Sequence, residues 1–349
     1  MLTGRKKRNI LLWLAILVIT SGLYVLYVFY SVVYAPNTDL GDRTETHVYI
    51  PTGSSYEDVF NLLIKQEVLR NPHSFDRLAK RKNYPGRVRP GRYLIRHGMG
   101  NNDLINLLRS GEQHPVWLTF NNIRTREQLA GVIASQLELD SASIINVMLD
   151  NEIMHALGFN TLTGKLMFIP NTYQVFWTIS PEQLVERMHR EYLNYWNSAR
   201  LQQADHIGLT PIETGILASI VQSETSKPEE FARIAGVYIN RLNRNIPLQA
   251  DPTVIYAMGD FTITRVLNHH LQYDSPYNTY LYSGLPPGPI TLPEPRVIDA
   301  VLNYEEHDYL YFCALDDLSG YHAFARTYSE HLVNARRYRQ ALNQRRIFR

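Results

Sequence analysis

Residues 10–33 form a run of 24 positions without a charge, the longest apolar stretch in the chain. As an α-helix it would be about 36 Å long, more than the roughly 30 Å hydrocarbon core of a bilayer, so it is predicted to span a membrane with some tilt. Arg5, Lys6, Lys7 and Arg8 precede the run, and Tyr30 and Tyr34 close it as an interfacial belt would. A cleaved signal peptide would begin with similar basic residues, but this segment is too long and has no small-x-small site at its end. The positive-inside bias places residues 1–9 as a cytoplasmic tail, 10–33 as the transmembrane helix and everything after about Tyr34 outside.

Beyond the anchor the hydrophobic period changes several times. His47-Val48-Tyr49-Ile50 alternates like a strand, and Val59, Leu62, Leu63 and Leu69 then recur at helical spacing after Ser55. A second helix is expected over 72–82, a strand after the turn at Pro90-Gly91, a short helix capped by Asn102 and running to Leu108, and a strand over 116–120. Together these predict a small α+β module over 46–120. Residues 121–200 read as a helical connector lobe, with periods at 126–137 and 143–157, a turn at Pro170-Asn171-Thr172-Tyr173 and a helix over 181–196. A mixed α/β domain over 201–349 completes an α+β chain, and no 20–50-residue repeat indicates a solenoid.

One position breaks the pattern of this last domain. Leu217, Ile220 and Val221 mark an apolar helical stripe, and Glu224 falls on it at i+7, i+4 and i+3. Burial disfavours the charged form, so such a carboxyl is expected to hold its proton toward neutral pH, as a general acid must. A glutamate near a helix end also turns outward or caps the next helix, and this is the plainer reading. Glu213 has a structural role, since Thr210-Pro211-Ile212-Glu213 is a capping box. It lies about 16 Å from Glu224 along the axis, too far to share one bond.

The next helix, over about 229–242, presents Phe231, Ile234, Ala235, Tyr238 and Leu242 as a packing face, so Tyr238 is assigned to the core. In Leu248-Gln249-Ala250-Asp251-Pro252-Thr253, Asp251 reads as an N-cap before Pro252 at the first helical position at least as readily as a catalytic residue, and Gln249 equally suits a solvent-facing position. Asn278-Thr279-Tyr280 and the Pro- and Gly-rich run 283–290 follow, an ordered loop suited to a groove wall.

Composition narrows the chemistry. The chain has 349 residues and a single cysteine, Cys313, which excludes an internal disulfide and a thiolate metal cluster. Its 12 histidines are scattered without metal-ligand spacing, so no metal or other cofactor is expected. Of the 35 Lys and Arg, four precede the anchor, and the remaining 31 face 33 Asp and Glu. That balance gives no basic block for nucleic acid.

The segments 218–225, 239–242, 248–259, 277–280 and 284–290 together resemble the endolytic murein transglycosylases of the YceG-like family, over about residues 46–340. The resemblance implies that Glu224 is the catalytic acid and base. It also implies that Gln249, Asp251, Thr253, Asn278, Thr279 and Tyr280 line a glycan cleft, with Gln222 in support, and that 46–120 is a LysM-like module. His322, on an expected hairpin with 309–314, matches a late family strand and reads as structural or substrate-binding. Two departures stand out: Gln222 replaces a usual Glu, and Lys165, Leu166 and Asn171 stand where Glu, Gly and Asp are usual. The implied reaction cleaves the MurNAc–GlcNAc bond of peptidoglycan strands with a 1,6-anhydro product, terminating nascent strands beside the peptidoglycan synthases of the cell membrane. Two rivals remain: a hydrolytic muramidase using Glu224 with Asp251, and a non-catalytic peptidoglycan-binding scaffold.

Overall fold

The computed structural model describes residues 4–345. Helix α1 (Gly4–Val33) takes up the whole apolar run, and its large side chains from Ile10 to Tyr30 stay exposed. Only its C-terminal end, around Val32 and Val33, packs on the core that follows; an otherwise exposed apolar helix is suited to lipid rather than water, and α1 is long and apolar enough to cross a membrane.

Strand β1 (Glu45–Ile50), helices α2 (Tyr56–Lys65) and α3 (Pro72–Arg81), strand β2 (Gly91–Arg96) and helix α4 (Asn101–Ser110) follow. β1 and β2 pair antiparallel, with Val48 opposite Tyr93. The alternation predicted for β1 buries Val48 and Ile50, which join Leu63, Phe75, Leu104 and Ile105 in one core. A Ser55–Asp58 capping box opens α2, and Asn71 caps α3 ahead of Pro72. Asn102 is not the cap of α4: Gly100 holds that place and Asn102 lies inside the helix. The reason is Asn101, which is fully buried, accepts from Asn37 at 2.6 Å and donates to Val32 O at 2.8 Å, drawing the helix start forward. Residues up to 117, with 174–179, make one compact unit.

The second unit comprises 118–173 and 180–349. Strand β3 (Val116–Phe120) runs into α5 (Arg126–Ala134), α6 (Ser141–Leu149) and α7 (Asn151–Ala156), and β3 pairs with β4 (Asn171–Val175), where the sequence suggested a turn. The single period over 143–157 is two helices. Asp150 ends the first and caps the second, its carboxylate accepting from Glu152 N and Ile153 N at 2.9 and 3.1 Å. Helices α8 (Pro181–Tyr195), α9 (Ser198–His206), α10 (Pro211–Glu224), α11 (Phe231–Asn243), α12 (Asp251–Met258) and α13 (Pro295–Leu302) come next. The hairpin β5 (Tyr311–Ala314) and β6 (His322–Ala325) and then α14 (Tyr328–Gln344) follow. Ala314 lies opposite His322 in that hairpin.

Helix α10 forms the interior of this unit, with all eight residues from Thr214 to Val221 buried. α11 and α13 pack on it. Gly215 allows close packing, since a Cβ there would lie 2.9 Å from the tip of Leu166 and push that side chain aside. Much of the stretch expected as a separate connector lobe therefore packs into the same unit as α10. Among the described residues the strands form three two-stranded sheets, so the domain around Glu224 is helical with small ribbons rather than layered on one sheet.

Candidate active site

Helix α10 starts as its sequence dictates: Thr210 accepts from Glu213 N, and the Glu213 carboxylate accepts from Thr210 N at 2.8 Å. The helix is buried on every face from Thr214 to Val221, and Glu224, the last helical residue, lies where its C-terminal end emerges into a cleft of about 450 Å³. The Glu224 carboxylate accepts one hydrogen bond, from Tyr238 Oη at 2.5 Å. Glu224 is half-buried because one edge lines the cleft, but the protein packed around its carboxyl withdraws enough water to raise its pKa from 4.5 to about 7. The Tyr238 bond and the Arg241 charge oppose that rise, and the charge of Asp251 adds to it.

The opposite wall begins at α12. Asp251 is not the N-cap: Ala250 occupies that position and Asp251 is the first helical residue. Relieved of capping, its carboxylate accepts from Tyr280 Oη at 2.5 Å, and desolvation raises its pKa while the tyrosine bond opposes. Gln249 precedes with φ +52°, a left-handed conformation sparsely populated by residues with a Cβ. Arg241, buried on α11, donates to Gln249 Oε1 at 3.3 Å, to Leu248 O at 2.9 Å and to Leu310 O at 2.7 Å, clamping this strained turn to β5.

Glu224, Gln249, Asp251, Tyr280 and His322 share the cleft lining. Four other residues singled out in the sequence do not. Thr253 and Thr279 are buried and bond each other at 2.9 Å, while Ala250 N donates to Thr279 Oγ1 at 3.0 Å. Buried Asn278 donates to Leu271 O and Tyr273 O and accepts from Tyr280 N at 3.0 Å. These three staple the 278–280 loop to the start of α12, placing Asp251 and Tyr280 from behind the wall. Gln222 donates to Leu292 O and accepts from Glu294 N at 2.7 Å, so both ends of its amide hold the approach to α13.

A profile of the YceG-like family matches residues 48–337. The chain belongs to that family. Over 322 residues, 87% of each chain, it is 29% identical to a Bacillus subtilis (strain 168) protein named endolytic murein transglycosylase. A Streptococcus pneumoniae (strain D39) protein of the same name is 29% identical over 311 residues, 79% of this chain and 55% of that one. The crystal structure of a yceG-like protein from Listeria monocytogenes superposes with a TM-score of 0.55 at 27% identity, covering 84% of this chain and 99% of that one.

Three residues of this YceG-like site escaped the sequence reading. Tyr238 sits on the expected core face and is 1% exposed, but its hydroxyl needed a partner, and Glu224 is that partner. Arg241 lies in the 239–242 segment that carries the family resemblance, where residue order alone assigns it no role. Glu230 is 4% exposed and collects three donors: Thr225 Oγ1 at 3.1 Å, and His322 N and Nδ1 at 2.8 Å each. His322 is thereby held against the cleft, with its ring edge against Phe312, which in turn meets Tyr238. Among the described residues no group of three His, Cys, Asp or Glu side chains is placed to hold a metal ion.

Proposed function

We propose that this YceG-like chain is a membrane-anchored endolytic lytic transglycosylase of peptidoglycan, with Glu224 as its acid and base. The observation that carries the reading is a carboxyl with pKa about 7 on the floor of a cleft, in a chain similar to proteins named for this activity. Protonated Glu224 donates to the glycosidic oxygen between MurNAc and GlcNAc, and the C1–oxygen bond breaks. The resulting carboxylate, steadied by Tyr238, takes the proton of the MurNAc 6-hydroxyl as that oxygen bonds to C1 and closes the 1,6-anhydro ring. Glu224 ends protonated and no water is consumed.

Asp251 and Tyr280 line the opposite side, where the charge of Asp251 adds to the burial that keeps Glu224 protonated. The same carboxylate supports one specific rival, a hydrolase in which Asp251 activates water or attacks C1. Product mass separates the two, because an anhydro end is lighter by one water. The expected result with the full chain in detergent is anhydro ends; hydrated reducing ends would replace the proposal with the rival. Binding to sacculi without released fragments would favour a scaffold instead.

The positive-inside pattern supports a cytoplasmic N-terminus and an external cleft. The β–α–α–β order of β1, α2, α3 and β2 supports reading residues 46–120 as a LysM-like glycan-binding module. Termination of nascent strands beside the synthases extends the same proposal.

A further inference from the structure

A second cavity lies on the other side of the wall that carries Glu224. Ser223 and Gln222 line it where the next residue, Glu224, lines the first, and Pro252 lines it where Asp251 lines the first. It holds about 690 Å³ and adjoins a recess of about 390 Å³ through the shared residues Thr125, Tyr256 and Phe261.

Three cations line this groove and its recess, Arg124, Arg126 and Lys165, and none has a carboxylate within ion-pair distance among the described residues. The Arg124 guanidinium stacks on Phe261 at 4.5 Å, and no acceptor among the described residues takes its hydrogen bonds. Lys165 is 5% exposed, and its ammonium donates to two neutral oxygens, Arg124 O and Tyr256 Oη, each at 3.1 Å. Burial, reinforced by the charge of Arg126 and only partly opposed by that of Glu127, lowers the Lys165 pKa to about 7. A buried ammonium without a counter-ion is costly and a carboxylate beside it would relieve that cost. The groove carries one carboxylate of its own, Glu127, against Arg124, Arg126 and Lys165.

We propose that this groove binds the carboxylate-bearing stem peptide of the MurNAc unit being cleaved, with Arg124 and Lys165 pairing with its carboxylates and Phe261, Tyr256 and Tyr277 covering its apolar atoms. The identity of the ligand rests on the transglycosylase reading of the Glu224 cleft. The stem peptide hangs from the lactyl group of the sugar whose C1–oxygen bond Glu224 protonates, so it must leave the cleft close to that carboxyl. The groove opens one residue away on both α10 and α12, and its charge suits an acidic peptide.

The test uses full-length Glu224→Gln protein in detergent and fluorescent glycan strands, either intact or stripped of peptides by an amidase, with affinity read by anisotropy. Intact strands are expected to bind about tenfold more tightly than stripped ones, and adding Arg124→Ala or Lys165→Met is expected to bring that ratio close to one. An equal affinity for both strands, or a ratio untouched by both substitutions, overturns the proposal. The readout needs no turnover. Absence of anhydro products from the wild-type chain would therefore defeat the transglycosylase reading while this ratio still decides the groove.

Discussion

Two acidic residues six positions apart, Glu224 and Glu230, are treated oppositely by the same fold. Glu230 is enclosed and receives three hydrogen bonds, from Thr225 and from the backbone and ring of His322. Glu224 receives one, from a tyrosine, and faces a cleft. A carboxylate saturated with donors ties elements together; a desolvated carboxyl with one neutral donor is left able to exchange a proton. Burial alone therefore does not mark a catalytic group. On the proposed reading, the count and kind of donors set Glu224 apart from Glu230.

The sharpest way to break this contrast is to neutralise each residue. Glu224→Gln is expected to lower cleavage of isolated glycan strands by at least about 10³-fold with the circular dichroism spectrum unchanged, because the proton donor is lost while the shape stays. Glu230→Ala should do the reverse in order of cause: it strands the donors of Thr225 and His322 and should cost about 2–4 kcal/mol of stability in denaturant titration. If Glu230→Ala kept full stability, its role as a tie between the start of α11 and β6 would be wrong.

Smaller effects sharpen the comparison. Tyr238→Phe removes the bond that lowers the pKa of Glu224, so the alkaline limb of kcat/KM should move upward from about pH 7. The rate should fall about tenfold as the carboxylate formed after proton donation loses its donor. Stability carries the same signature. The folded pKa of Glu224 lies above its ordinary value of 4.5, so the native state holds a proton that the unfolded state has released. Stability from this group is therefore greatest below about pH 4.5 and declines as pH rises to about 7. Glu224→Gln should accordingly be more stable than wild type at pH 8 in denaturant titration, by an amount on the order of 1–2 kcal/mol, with the two converging near pH 4.

Much of this was readable from residue order. The desolvation expected of Glu224 is found, although α10 is buried on every face rather than along one stripe, and the Thr210–Glu213 capping box fixed where α10 begins, because it depends on local spacing. The strand alternation of β1 and the exposed apolar run of α1 were legible for the same reason. What was not legible depended on contacts between distant segments. Tyr238 looked like core because its ring is core, while its hydroxyl serves Glu224 across two helices. Asp251 looked like a cap because Asp-Pro usually is one, but the left-handed Gln249, clamped by Arg241 and Thr279, shifts the cap to Ala250. Thr253, Asn278 and Thr279 looked like cleft lining, since a polar side chain bonded inside a wall and one facing a ligand read alike in sequence. The break at Asp150 was hidden by an unbroken apolar period on either side of it.

The central claim is that Glu224 keeps its proton near neutral pH, and infrared difference spectroscopy of the full chain against Glu224→Gln reports it directly. The account predicts a protonated-carboxyl band present at pH 6 and lost with a midpoint of about 7. A band already gone at pH 6, with a midpoint near 4.5, would contradict it.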